Sequence, residues 1–194
     1  MHKHSTLQNP HEYPDMDYLY SEAAQSRCVI AAHALRACPH VVEIGGFTTP
    51  ITHFLTGRHQ SVTVFDPLMK AYSSDRLNDA PCKVRHVPQP YQQAPLDIEG
   101  KYGFVMLGAS LKHFSENPEQ RVQEWAMLVD LVSGAQVSVI EAAIDWPLGK
   151  GALDKLLEIP DMRVRTSIDL DLSANPGMDP EHYRRRLLVL EPSS

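Results

Sequence analysis

Residues 41–50, VVEIGGFTTP, narrow the folds open to this chain more than any other stretch. Two β-branched apolar residues and Glu43 lead into Gly45-Gly46. Thr49 then stands where a helix is capped, with Pro50 at its first position. A short buried strand that ends in glycines and runs straight into a helix is how α/β proteins bring backbone against a nucleotide. The glycines permit close approach, and the helix start offers unpaired N–H groups and partial positive charge. The turn is read as the seat of an adenosine-containing cofactor.

The flanking pattern supports a βαβ unit. Ser61–Phe65, SVTVF, is a second strand, and it closes on Asp66-Pro67. Asp66 lies 21 residues after Gly45, where an acid at the tip of the second strand meets ribose hydroxyls. Ile51, Phe54 and Leu55 turn inward in the intervening helix, which Gly57 ends. A helix over 68–77 and a third strand, Lys83–Val87, follow. Residues 88–100 carry three prolines and read as a loop beside the pocket. Gly103–Leu107 is a fourth buried strand opening into Gly108-Ala109-Ser110. Asn117-Pro118 starts an amphipathic helix with Val122, Trp125, Leu128, Val129 and Val132 at helical spacing. Ser133-Gly134 stops it, and 135–140 form a fifth strand. After a loop over 142–150 and a short helix near 153–157, two strands at 162–170 and 184–190 close the chain, separated by NPG and DP turn signals. A further helix over about 21–37, ended at Cys38-Pro39, precedes the first strand, with Cys28, Ala31 or Ala32, and Leu35 on one face. The order describes a doubly wound α/β sheet with a terminal antiparallel hairpin.

At 194 residues the chain suits one domain over 21–194, with residues 1–20 as a polar, flexible N-terminal arm. Its three histidines (His2, His4, His11) have no fixed mutual spacing, so they read as tail rather than as metal ligands. A net charge of −6 argues against a partner held by its phosphate backbone. No apolar run reaches the length of a membrane span, and Cys28, Cys38 and Cys82 form neither a disulfide set nor a zinc motif. A cytoplasmic protein acting on a small molecule is the expectation; the oligomeric state stays open.

With these motifs in order, the chain resembles the class I S-adenosylmethionine (SAM)-dependent methyltransferases over about residues 21–192. Glu43-Ile44-Gly45-Gly46-Phe47-Thr48-Thr49 resembles their first motif, in the form seen in small-molecule O-methyltransferases. VFDPLMKAY resembles the second, YGFVMLGASLKHF the fourth, and SGAQVSVIEA the fifth strand. The resemblance implies a seven-strand Rossmann-like sheet and transfer of a methyl group from SAM to oxygen or nitrogen of a small acceptor, with S-adenosylhomocysteine (SAH) as product. It implies that Glu43, Gly45, Gly46 and Phe47 hold the methionine end and Asp66 the ribose. Pro67 and Leu68 would line the adenine, Gln89 or Gln92 meet its amine, and Gly108 and Ala109 flank the cofactor. Gly108 and Ala142-Ala143 stand where metal-dependent relatives carry acids or amides, so no metal is implied. Two other outcomes stay open: a protein of this fold that binds without catalysis, and transfer of the aminocarboxypropyl arm of SAM.

Methyl transfer to a hydroxyl or amine needs a group to take the proton. His113, just past the fourth strand, is the first candidate, and Glu141, at the end of the fifth, the second. For each, a structural role is the competing reading. Asp145 and Trp146 lie beyond Glu141 on the same rim, and Asp145 reads as a solvated loop residue. His53 reads as part of a polar helix face and His86 as a satisfied histidine between layers. The run Arg184-Arg185-Arg186 reads as acidic-substrate recognition or as charge protecting an edge strand.

Overall fold

The computed structural model of the chain describes residues 22–45, 51, 54–55, 60–67, 82–94, 98, 100–173 and 179–193. The arm over 1–20, the turn residues Gly46, Phe47, Thr48, Thr49 and Pro50, His53, Gly57 and the helix expected at 68–77 lie outside them.

Seven strands form one sheet: β1 (His40–Ile44), β2 (Ser61–Phe65), β3 (Lys83–Val87), β4 (Gly103–Leu107), β5 (Val137–Ala143), β6 (Met162–Asp171) and β7 (Arg184–Pro192). Their order is β3-β2-β1-β4-β5-β7-β6. The first five run parallel, and β7 enters antiparallel between β5 and β6. The reversal of direction from β1 outward, toward β2 on one side and β4 on the other, opens a crevice at the strands' carboxyl ends. Successive side chains feed opposite layers. Val42, Ile44, Phe104, Met106, Ile140 and Leu188 join one core, while Val41, Val64, Val105, Val139 and Leu187 join the other. This double burial is why these strands read as continuous apolar runs.

Helix α1 (Glu22–Leu35) lies against the second layer through Ala31, Ala32 and Leu35. Its last carbonyl, and that of Cys38 beyond its end, accept from a side chain outside the helix. The buried Gln60 amide donates to Leu35 O (3.2 Å) and Cys38 O (2.9 Å). In the same layer Ile51 and Leu55 are buried, as their spacing predicts.

Helix α2 (Pro118–Ser133) starts as the sequence indicates. The Asn117 side chain accepts from Glu119 N and Gln120 N, and Pro118 occupies the first turn. The inward face is Leu128, Leu131 and Val132, with the buried Glu124 among them. Val122 is a correction: it is 70% exposed, off the face that Glu124, Leu128, Leu131 and Val132 bury. Glu124 tolerates burial because Ser115 N (2.6 Å) and Gln120 Nε2 (2.9 Å) donate to its two oxygens.

Some boundaries and one strand placement differ from the sequence reading. Strand β5 continues to Ala143, since β7 offers it a partner as far as Arg185, so Glu141 lies inside the strand. Helix α3 spans Pro147–Leu157, starting at a proline that suits a first helical turn. The antiparallel pair is also placed differently: β7 is interior and β6 forms the edge, so the three arginines do not begin an edge strand. The contact between α3 and β5 depends on Gly149, where a Cβ would collide with the Ala143 carbonyl oxygen and crowd Ala143 N at 3.2 Å. Gly149→Ala is expected to lower stability by about 2 kcal/mol, read from the urea midpoint. Alanine's better helix propensity, about 1 kcal/mol, is too small to reverse that sign.

Candidate functional site

Four of the residues singled out from sequence meet at the tips of β1 and β2. Glu43 sits in β1 with its side chain in the α1 layer, 3% exposed. Ile51 N donates to both of its carboxylate oxygens, at 3.0 and 3.1 Å, so Glu43 ties the strand to the far end of the glycine turn. Burial pushes the Glu43 pKa up to about 8; the Ile51 N–H opposes the shift, and the charge of Asp66 adds to it. Gly45 adopts φ +80°, with no atom of the described residues within 4 Å of where a Cβ would stand. Its N–H donates to Phe65 O (3.0 Å), which binds the turn to the end of β2. A left-handed residue with open space beside it is what close approach of a ligand to backbone requires. Asp66 follows at the tip of β2, 3% exposed, its N–H on Val87 O (3.1 Å) and its carbonyl beside His86 Nε2 (2.9 Å). Pro67 is exposed next to it.

The loops after β3 and β4 form the next wall. Gln89 is exposed, and its N–H donates to Val87 O. Gln92 Nε2 donates to His113 O (3.1 Å), joining the two loops. His113 ends a 3-10 turn, Leu111–His113, and borders a groove of about 700 Å3 with Gln92, Gln93, Asn117, Gln120 and Glu124. The residue is exposed overall, yet desolvation of the ring, helped by the charge of Lys112, holds its pKa below the usual imidazole range. Neutral imidazole at pH 7 is the form able to take a proton. No lysine or arginine lines the groove among the described residues.

Glu141 lies within β5, not at the strand's end as expected from sequence. It is 0% exposed and its carboxylate lies between two guanidiniums, Arg27 of α1 at 3.3 Å and Arg185 of β7. Its own carbonyl accepts from Gly108 N (2.8 Å) and Ala109 N (2.7 Å). The loop after β4 is therefore pinned to β5 at this residue. Arg185 is one of the three consecutive arginines, and alternation separates them. Arg184 points out to Asp145 and Arg186 to Asp169, and the hydrogen bonds they donate hold both carboxylates below the usual range. Trp146 packs edge-on against His182, ring centroids 4.6 Å apart. Arg27 was not singled out from sequence. The signal was present: Arg27 and Ala31 are four apart on the stripe that faces the core, and a charge there demands a partner.

No protein-family model and no curated protein matches this chain. Solved structures do. The N-methyltransferase NodS from Bradyrhizobium japonicum WM9, in complex with SAH, is 14% identical, with 97% of this chain and 95% of that one covered and a TM-score of 0.66. An rRNA methylase from Streptococcus thermophilus is 16% identical over 90% and 98% of the two chains, with a TM-score of 0.55. The magnesium protoporphyrin IX methyltransferase ChlM from Synechocystis PCC 6803, with bound SAM, is 15% identical over 86% and 78%, also at 0.55. At these identities the likeness concerns the fold. The chain has the class I methyltransferase fold, seven strands with β7 inserted antiparallel.

Proposed function

We propose that this protein is a SAM-dependent methyltransferase acting at oxygen or nitrogen of a small molecule. One observation carries the reading. Glu43, Gly45 and Asp66 stand together at the tips of β1 and β2, at the switch point of this fold, with no atom of the described residues within 4 Å of a Cβ at Gly45 and both acids buried. The residues fit the donor. An ammonium and a ribose diol are what two buried carboxylates at adjoining strand tips can satisfy, and Glu43 loses its proton readily once a cation lies beside it. The proteins of like fold include ones with SAM or SAH bound.

SAM, when bound, supplies an activated methyl group on sulfonium sulfur. In this assignment Glu43 and the backbone of Gly45 and Gly46 hold the methionine end, with Phe47 beside them. Asp66 takes the ribose hydroxyls, and Pro67 and Gln89 border the adenine. Gly108 and Ala109, fixed by the Glu141 carbonyl, form the wall along which donor and acceptor align. His113 would hold and take the proton that the acceptor releases, with its imidazole neutral at pH 7. Glu141 acts at one remove, as the anion that positions Arg27 and Arg185. A small acceptor is preferred over RNA because the net charge is −6 and the groove beside His113 is lined by amides and acids. Solvent exclusion and alignment carry most of such a reaction, so a sparse set of polar groups suffices.

SAH at a hundredfold excess over its dissociation constant is expected to stabilise the fold by about 2.7 kcal/mol, visible as a rise in melting temperature. Asp66→Ala is expected to abolish that rise. Absence of any shift with millimolar SAM or SAH would overturn the proposal. A second reading, binding on this fold without catalysis, draws on Gly108 and on the full engagement of Glu141 by arginines. It predicts the same shift with no methylated product.

A further inference from the structure

The amino ends of β1, β2 and β3 break the apolar pattern of the rest of the sheet. The ladder register places His40, Ser61 and Lys83 in one row across the three strands, with Thr63 and Arg85 two residues further on. Strand alternation sets all five on the face that carries Val42, Phe65 and Val87 into their shared core. A parallel sheet is ordinarily apolar on both faces. Here the face bears two cations, two hydroxyls and an imidazole, and they line a cavity of about 340 Å3 together with Ile98 from the loop before β4. The cavity lies toward the opposite end of the strands from Glu43, Gly45 and Asp66.

Its donors are not spent within the protein. Thr63 is 6% exposed, and its Oγ1 stands 3.2 Å from His40 Nε2, while Ser61 Oγ stands 2.7 Å from His40 Nδ1. A neutral imidazole donates through one ring nitrogen and accepts through the other. Whichever tautomer holds, the hydroxyl that accepts from the ring keeps its own proton for a further acceptor. Burial, with the charge of Arg85 added, holds the His40 pKa below the usual imidazole range, so the neutral form prevails at pH 7. Lys83 and Arg85 are exposed and meet no carboxylate among the described residues, and no acid among those residues lines the cavity. Charges that only kept the edge strand β3 unpaired would need neither a buried threonine beside them nor a histidine two strands inward.

We propose that this cavity is a second binding site, for the phosphate group of a small phosphorylated molecule. A phosphoryl dianion offers three oxygens, enough to accept from a guanidinium, an ammonium and a hydroxyl at once. A carboxylate carries one charge and two oxygens, so it matches less of the set. The site stands apart from the cofactor crevice, and the inference does not rest on the methyl-transfer reading.

The test titrates the whole protein with phenyl phosphate at about pH 7.5, where the ester is doubly ionised. Benzoate and phenol serve as singly charged and neutral matches at constant ionic strength. Phenyl phosphate is expected to bind at least tenfold more tightly than benzoate, and phenol not at all. Its charge offsets that of Arg85, so the titration of the assigned His40 ring resonances is expected to move to higher pH as the site fills. Lys83→Gln combined with Arg85→Gln alters exposed side chains only. That variant is expected to lose at least tenfold in phenyl phosphate affinity while the SAH-induced rise in melting temperature stays as it was. Binding no tighter than that of benzoate, an unmoved His40 titration, or full affinity in the double variant would overturn the proposal. So would a single-stranded oligonucleotide that binds at least tenfold more tightly than phenyl phosphate through the same two residues, since the cavity would then serve a nucleic acid backbone. Failure of SAH to bind would strike the methyl-transfer reading and leave the phenyl phosphate result to decide this one alone.

Discussion

Glu141→Leu is expected to destabilise the protein by about 3–5 kcal/mol, the range for breaking a buried ion pair from one side. The loss is not the attraction of one salt bridge. Glu141 is 0% exposed, and the side chains of Arg27 and Arg185 are 11% exposed. Removing the shared anion leaves both guanidiniums desolvated with no compensating charge from that residue. The triple substitution Glu141→Leu, Arg27→Met, Arg185→Met keeps volume and removes every charge, so it is expected to recover most of the loss. Urea unfolding of the single and triple variants makes the comparison. A single-variant loss below about 1 kcal/mol would show that water reaches the cluster and that Glu141 does not hold the arginines.

The sheet was legible because parallel strands buried on both faces leave dense β-branched runs. The limits of β2 and β4 follow from Ser61–Phe65 and Gly103–Leu107 alone, while β3, Lys83–Val87, is a half-exposed edge strand. The helix start at Asn117-Pro118 was equally local, a side chain accepting from the first turn's N–H groups. What was not legible depended on partners distant in sequence. The extension of β5 to Ala143 comes from pairing with β7, more than forty positions later in the chain. The three arginines looked alike in sequence, and only strand alternation and the interior position of β7 send Arg185 to Glu141 while its neighbours face solvent. Glu141 looked like an acid at the end of its strand for the same reason. The pair Glu43 and Asp66 could be placed by spacing, but the raised pKa of Glu43 follows from its complete burial, which no local pattern discloses.

That raised pKa leads to two pH effects of opposite sign. In the folded protein burial pushes the Glu43 pKa up to about 8, from an ordinary 4.5. Between those two values the folded state keeps a proton that the unfolded chain has released. The contribution of Glu43 to stability therefore falls as pH rises from about 4.5 to about 8, and it is flat on either side. If Glu43 faces the ammonium of the donor's amino-acid tail, binding favours the ionised carboxylate and expels that proton. SAH affinity then increases with pH over the same interval, by up to about tenfold per pH unit, and levels off above 8. The melting temperature of the free protein is expected to drop between pH 6 and pH 8 while the SAH-induced rise grows. Calorimetry in buffers of different ionisation enthalpy would count the released proton directly. In Glu43→Gln the side chain stays neutral, so both slopes should vanish and SAH binding at pH 8 should weaken at least tenfold. An SAH affinity independent of pH from 6 to 8 in the unaltered protein would separate Glu43 from the donor's ammonium, leaving it the single task of tying Ile51 to β1.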